Sequence, residues 1–116
     1  MIPTVSDVAA KVLAQPGGAL EVLRIYQFRG DEEYHDDQLQ DKLARDFESD
    51  FEEIVQQLRS GWGDPVCMNG DATEVPLCGV FRNAFWVIDG RKFFVAAAHQ
   101  DRECPILLVC GTGSKM

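Results

Sequence analysis

Between Asp36 and Gly63, seven large apolar residues recur on one side of a helical repeat. Leu39, Leu43, Phe47, Phe51, Ile54, Val55 and Leu58 follow one another at steps of 4, 4, 4, 3, 1 and 3. Those steps keep one face of a 3.6-residue helix apolar over five turns or so. Asp36 and Asp37 suit the positive end of such a helix and Arg59 its negative end, with Gly61 expected as the stop. A stripe this long needs a large partner surface, which limits what the rest of the chain can be.

The second half supplies that surface as strands. AFWVI at 84–88 and RKFFVAAAHQ at 91–100 flank Asp89-Gly90, and a two-residue Asp-Gly link between apolar runs specifies a tight hairpin. In that register Trp86 lies opposite Phe93 and Phe85 opposite Phe94, so aromatics fall on both faces and the strands are central ones, covered in part on each side. HQDREC and Pro105 lead to ILLVC at 106–110, a third strand, and Leu77–Phe81 adds a weaker fourth. Ser6 is placed to cap a short helix over residues 7–15, ended by Pro16-Gly17-Gly18. ALEVLRIYQF at 19–28 reads as a helix buried on a broad face, although its β-branched and aromatic residues also permit a strand. The expectation is one α+β domain over residues 1–116: a helical half at about 5–60 packed on an antiparallel meander of three or four strands at about 75–111.

A formal charge of −8 argues against binding nucleic acid or an anionic membrane through bulk electrostatics. The longest apolar runs, FFVAAA and ILLVC, fall far short of the roughly 20 residues that span a bilayer. The N-terminus lacks both a basic leader and a continuous apolar segment, so it does not read as a signal peptide. Cys67, Cys78, Cys104 and Cys110 are spaced 11, 26 and 6 apart, without a metal-binding knuckle. Reduced thiols and a cytoplasmic location are expected, with Cys110 a small core residue.

Catalytic chemistry has little to stand on. The chain has two histidines, His35 and His99. A thiol–imidazole pair needs hydrogen-bond reach, and His99 and Cys104 share one strand–turn–strand connection. The same nearness arises at any turn holding both residue types. With Asp101 they form a polar cluster where a small enzyme or ligand binder could keep its site; the structural alternative is a solvated turn. Gly111–Ser114 has no helix after it, so it is not a phosphate loop, and it reads as a frayed tail. Arg29-Gly30-Asp31 spells an adhesion tripeptide too short to carry meaning. No cofactor or metal is expected.

The charge is unevenly placed. Residues 31–53 hold 11 of the 19 acidic side chains and two of the 11 basic ones, a balance of −9 that leaves +1 for the remaining 93 residues. Neighbouring like charges on a helix repel by a few tenths of a kcal/mol, about 0.2–0.5 per pair, so local stability does not ask for this concentration. A concentrated acidic face steers a basic partner; the competing reading is a solvated face that serves solubility. The expected partner-binding residues are Asp31, Glu32, Glu33, Asp36, Asp37, Asp41, Asp46, Glu48, Asp50, Glu52 and Glu53.

Small size, no catalytic set, an acidic helical half and an antiparallel sheet together resemble the immunity proteins of bacterial toxin–immunity systems. GWGDP followed by AFWVIDGRKFFVAAAHQDRECPI, over residues 61–111, is similar to segments of small bacterial proteins. The resemblance implies a non-catalytic, cytoplasmic inhibitor that plugs a toxin's active site, and an acidic face suits a toxin that handles nucleic acid. The alternatives are a homo-oligomeric module pairing through a sheet edge such as ILLVC, and the small enzyme or ligand binder at His99, Asp101 and Cys104.

Overall fold

The computed structural model describes residues 5–15, 19–69, 77, 79–88, 90–101 and 104–115. In chain order these form α1 (Val5–Leu13), β1 (Ala19–Tyr26), α2 (Asp31–Tyr34), α3 (Asp37–Trp62), β2 (Cys67–Met68), β3 (Val80–Ile88), β4 (Arg91–His99) and β5 (Ile106–Lys115). The fold is α+β, with a five-stranded antiparallel sheet ordered β1-β5-β4-β3-β2 in place of the three or four strands expected.

The long helix forms as its stripe requires. Leu43, Phe47, Phe51, Ile54, Val55 and Leu58 are all buried, and the Asp36 carboxylate accepts from the Leu39 backbone N–H at 3.0 Å as the N-cap. The stripe meets Ala84, Trp86, Phe93, Val95, Ala97, Leu108 and Cys110, the residues of β3, β4 and β5 that point to the helical side. Ala9 and Val12 of α1 close the same core. A helix of 26 residues is about 39 Å long, against about 19 Å across five strands. That length carries the chain from one edge of the sheet, at β1, to the other, at β2.

The helix does not stop at Gly61. It runs to Trp62, whose ring packs edge-on against Trp86 and Phe93 at 6.0 and 5.1 Å, and this contact favours the two extra residues. Gly63 ends it at φ 81, with its N–H donating to the Arg59 carbonyl and its own carbonyl accepting from the Trp86 indole at 3.0 Å. Similarly, Ser6 lies inside α1, which begins at Val5, and not at its cap.

The aromatic hairpin has the expected register, with Trp86 opposite Phe93 and Phe85 opposite Phe94. Gly90 takes a positive φ of 77, while Asp89 lies outside the described residues. On the side away from the helices, Phe94, Ala96 and Val109 are buried beneath Leu77, Val80, Phe85 and Leu107. Both faces of the central strands are therefore covered. Val80 and Phe81, expected in a separate strand with Leu77, are the start of β3, and Gly79, at φ 72, accepts the His99 N–H and lies against the His99 carbonyl. The minor strand of that edge is β2.

Two further expectations are corrected by β1. Residues 19–26 form a strand paired to β5, with Leu20, Val22 and Ile25 exposed and Leu23 buried. The pairing partner, some 90 residues away, overrides a local pattern that also fits a helix. The supposed tail, Gly111–Ser114, belongs to β5, with Gly111 and Thr112 paired to both β1 and β4. Thr112 is buried, and its hydroxyl accepts from the Ala19 N–H at 3.3 Å and from Arg91 Nη2 at 2.8 Å. Arg91 Nη1 also donates to the carbonyls of Leu13 and Gln15 at 3.0 and 2.8 Å, which satisfies the open end of α1. Because β5 is flanked on both sides, ILLVC is not a sheet edge.

Candidate interaction surface

The acidic segment falls on α2, the turn at His35–Asp36 and nearly the first five turns of α3. It divides into carboxylates that the fold has already engaged and carboxylates that it has not. Glu33 accepts from the Tyr26 hydroxyl at 2.9 Å and from the Arg29 backbone N–H at 3.0 Å, fixing α2 against the end of β1. That hydrogen bond, with partial burial and the nearby negative charge, raises the Tyr26 pKa above its ordinary 10.0. Asp36 is the N-cap. Glu48 pairs with Arg82 of β3 at 3.3 Å, and Asp50 pairs with Arg24 of β1. The Arg24 guanidinium also lies 4.4 Å over the Phe47 ring, so Asp50 helps hold a cation above the core. Asp37 is exposed and has an interaction of its own within the chain.

Six remain. Asp31, Glu32, Asp41, Glu52 and Glu53 are exposed, Asp46 is half-buried, and among the described residues none of the six enters an ion pair. Lys42 and Arg45 are exposed on the same helix and, with Gln38, Asp41 and Asp46, line a shallow depression along it. The free carboxylates thus sit on α2 and within residues 41–53 of α3, with Lys42 and Arg45 interspersed among them.

No family model, curated protein or solved structure matches the chain.

The second candidate, at the far end of the hairpin, is organised differently. The His99 ring stacks on Phe28 with centroids 5.6 Å apart, and its Nε2 is shielded with no hydrogen-bond partner among the described residues. Asp101 is exposed and half-buried Cys104 donates its backbone N–H to the Asp101 carbonyl at 3.0 Å, a turn contact through the main chain. Arg102 and Glu103 lie outside the described residues. His35 is exposed at the end of α2. No group of three His, Cys, Asp or Glu side chains able to hold a metal occurs among the described residues, and no helix among them is long and apolar enough to cross a membrane.

Three cysteines are free thiols, with Cys67 and Cys104 half-buried and Cys110 buried; Cys78 lies outside the described residues. Burial, and secondarily the Glu21 carboxylate, pushes the Cys110 thiol up from 9.0 to about 12. The thiolate is the reactive form. Native protein at neutral pH is therefore expected to lose Cys67 and Cys104 to an alkylating reagent while Cys110 is spared until the chain unfolds, as peptide mass mapping reads out. The same shift makes the fold hold its proton more tightly than the unfolded chain. Its stabilising contribution is complete below pH 9 and is lost as pH rises towards 12. Thermal melts should show that alkaline decline, and Cys110→Ala should make it shallower.

Proposed function

We propose that this protein is a non-catalytic binding module for a basic protein partner, with the solvent face of α2 and α3 as its contact surface. The observation that carries the reading is the division of the eleven carboxylates. Glu33, Asp36, Glu48 and Asp50 already stabilise the fold, whereas Asp31, Glu32, Asp41, Asp46, Glu52 and Glu53 have no ion-pair partner among the described residues. A field projected into solvent by carboxylates that the fold leaves unpaired speeds encounter with an oppositely charged protein. The resemblance to immunity proteins adds the partner class. It is a toxin domain that handles nucleic acid, basic where its substrate lies, and this chain would act as its cytoplasmic inhibitor.

The test compares immobilised wild-type protein with the D41K/E52K/E53K variant, each exposed to lysate of the source cell at low salt and eluted by a salt gradient. The expected result is one basic protein released from the wild type at a defined salt step and not retained by the variant. Equal retention on both surfaces, or a diffuse basic background on each, would leave the carboxylates as a solvated face.

A further inference from the structure

We propose that β1 pairs antiparallel with β1 of a second copy, about a two-fold axis at Val22, joining two five-stranded sheets edge to edge. The surface is separate from the acidic one. β1 is the outermost strand, bonded to β5 on one side and to no strand on the other among the described residues. Its sequence, ALEVLRIY, contains neither Pro nor Lys, two residues that commonly guard an exposed edge. Leu20, Val22 and Ile25 stand 41%, 50% and 55% exposed along its outer side.

What selects a second copy as the occupant is the order of residues about Val22. The register on β5 steps from Val22–Val109 to Arg24–Leu108, so Leu23 is the extra residue of a bulge. Glu21, Leu23 and Arg24 all face the helices: Glu21 pairs with Lys11 of α1 at 3.2 Å, Arg24 pairs with Asp50 of α3, and Leu23 is in the core. With Val22 opposite its own copy, Glu21 meets the bulged pair Leu23 and Arg24, and Leu20 meets Ile25. Each match joins residues on the same face of the sheet. The outer row becomes continuous and apolar. On the helical side, Lys11, Glu21, the second copy's Arg24 and its Asp50 alternate in sign across the junction. Glu21 and Arg24 keep side-chain exposures of 37% and 34%, so both remain within reach of a neighbour. Centring the pair on Glu21 would oppose two carboxylates, which is unfavourable, and a slip of one residue puts apolar side chains against charged ones.

One strand paired with its copy buries less than the roughly 1,600 Å² of a standard interface, so the dimer dissociates on dilution. Sedimentation velocity of the full chain should therefore show a mass rising from monomer towards dimer with concentration, and Val22→Lys should remain monomeric throughout. Under mild oxidation, Val22→Cys should form a covalent dimer at several times the yield of Ile25→Cys, whose symmetry mate is far from it, with wild type as the control for the native thiols. Cross-linking also decides the matter if Val22→Lys fails to fold. A wild type monomeric at every concentration, a Val22→Lys variant that dimerises normally, or Ile25→Cys cross-linking as readily as Val22→Cys would overturn the proposal.

Discussion

Phe47→Ala is expected to remove about 3–5 kcal/mol of stability, the usual cost of emptying a fully enclosed aromatic site. Phe47 has no exposed surface, sits midway along the apolar stripe of α3, and carries the Arg24 guanidinium over its ring. The variant therefore loses transfer free energy, leaves a cavity under the helix, and takes from Arg24 the ring beneath it, while Asp50 still holds the cation. The core around Phe47 includes a sheet whose strands are fixed by their neighbours, which limits inward collapse. At roughly 4 °C per kcal/mol for a domain of this size, the Tm should fall by about 12–20 °C. A fall of only a few degrees in a calorimetric scan would mean that α3 is not seated on the sheet as described.

Gly111→Val should be as damaging, for a reason that reverses ordinary strand preference. At an unconstrained strand position, valine is the better residue. Here a Cβ would run into the Ala19 carbonyl oxygen of β1 and come within 2.9 Å of Phe94 Cζ. The first obstacle is main chain, and it moves only if β1 leaves β5. Overpacking typically costs about 1–3 kcal/mol, and more where backbone must shift, so a loss of at least about 3 kcal/mol is expected. Backbone amides of β1 should lose hydrogen-exchange protection before those of β3. An unchanged or raised Tm would place residues 111–114 back in a frayed tail.

These two sites mark what was legible in the chain. Phe47 belongs to a pattern that repeats within one helix, and the hairpin through Gly90 is likewise decided by residues close in sequence, so the helix and the Trp86–Phe93 register could both be read directly. Gly111 and β1 could not, because their structure depends on each other across about 90 residues of chain. ALEVLRIY has a helix-compatible spacing of leucines, and only the approach of β5 makes the extended form the better one. Gly111 offers no local sign that a backbone passes where its Cβ would be. The end of α3 was misplaced by two residues because the reward for continuing, the contact of Trp62 with Trp86 and Phe93, comes from a different element.

The interaction surface was legible as a charge excess but not as a geometry. Counting residues 31–53 finds eleven carboxylates and treats them alike. The fold separates them by reaching up from the sheet: Arg24 engages Asp50, Arg82 engages Glu48, and Tyr26 engages Glu33. None of those partners lies within the acidic segment. One sign was present from the start, since Asp36 precedes the apolar stripe by three residues and its carboxylate was placed to cap the helix. The six unengaged carboxylates are a smaller and more specific set than composition alone defines.

The most direct test of that set is the association rate constant of the captured basic partner, measured by stopped-flow mixing against wild type and D41K/E52K/E53K over a range of ionic strength. Electrostatic steering raises association by about 10–10³-fold and weakens steeply with salt. The expected result is a wild-type rate that falls with added salt, a variant rate at least about tenfold lower at low salt, and a smaller change in dissociation. Equal association rates for the two proteins, indifferent to salt, would contradict a binding role for the acidic face.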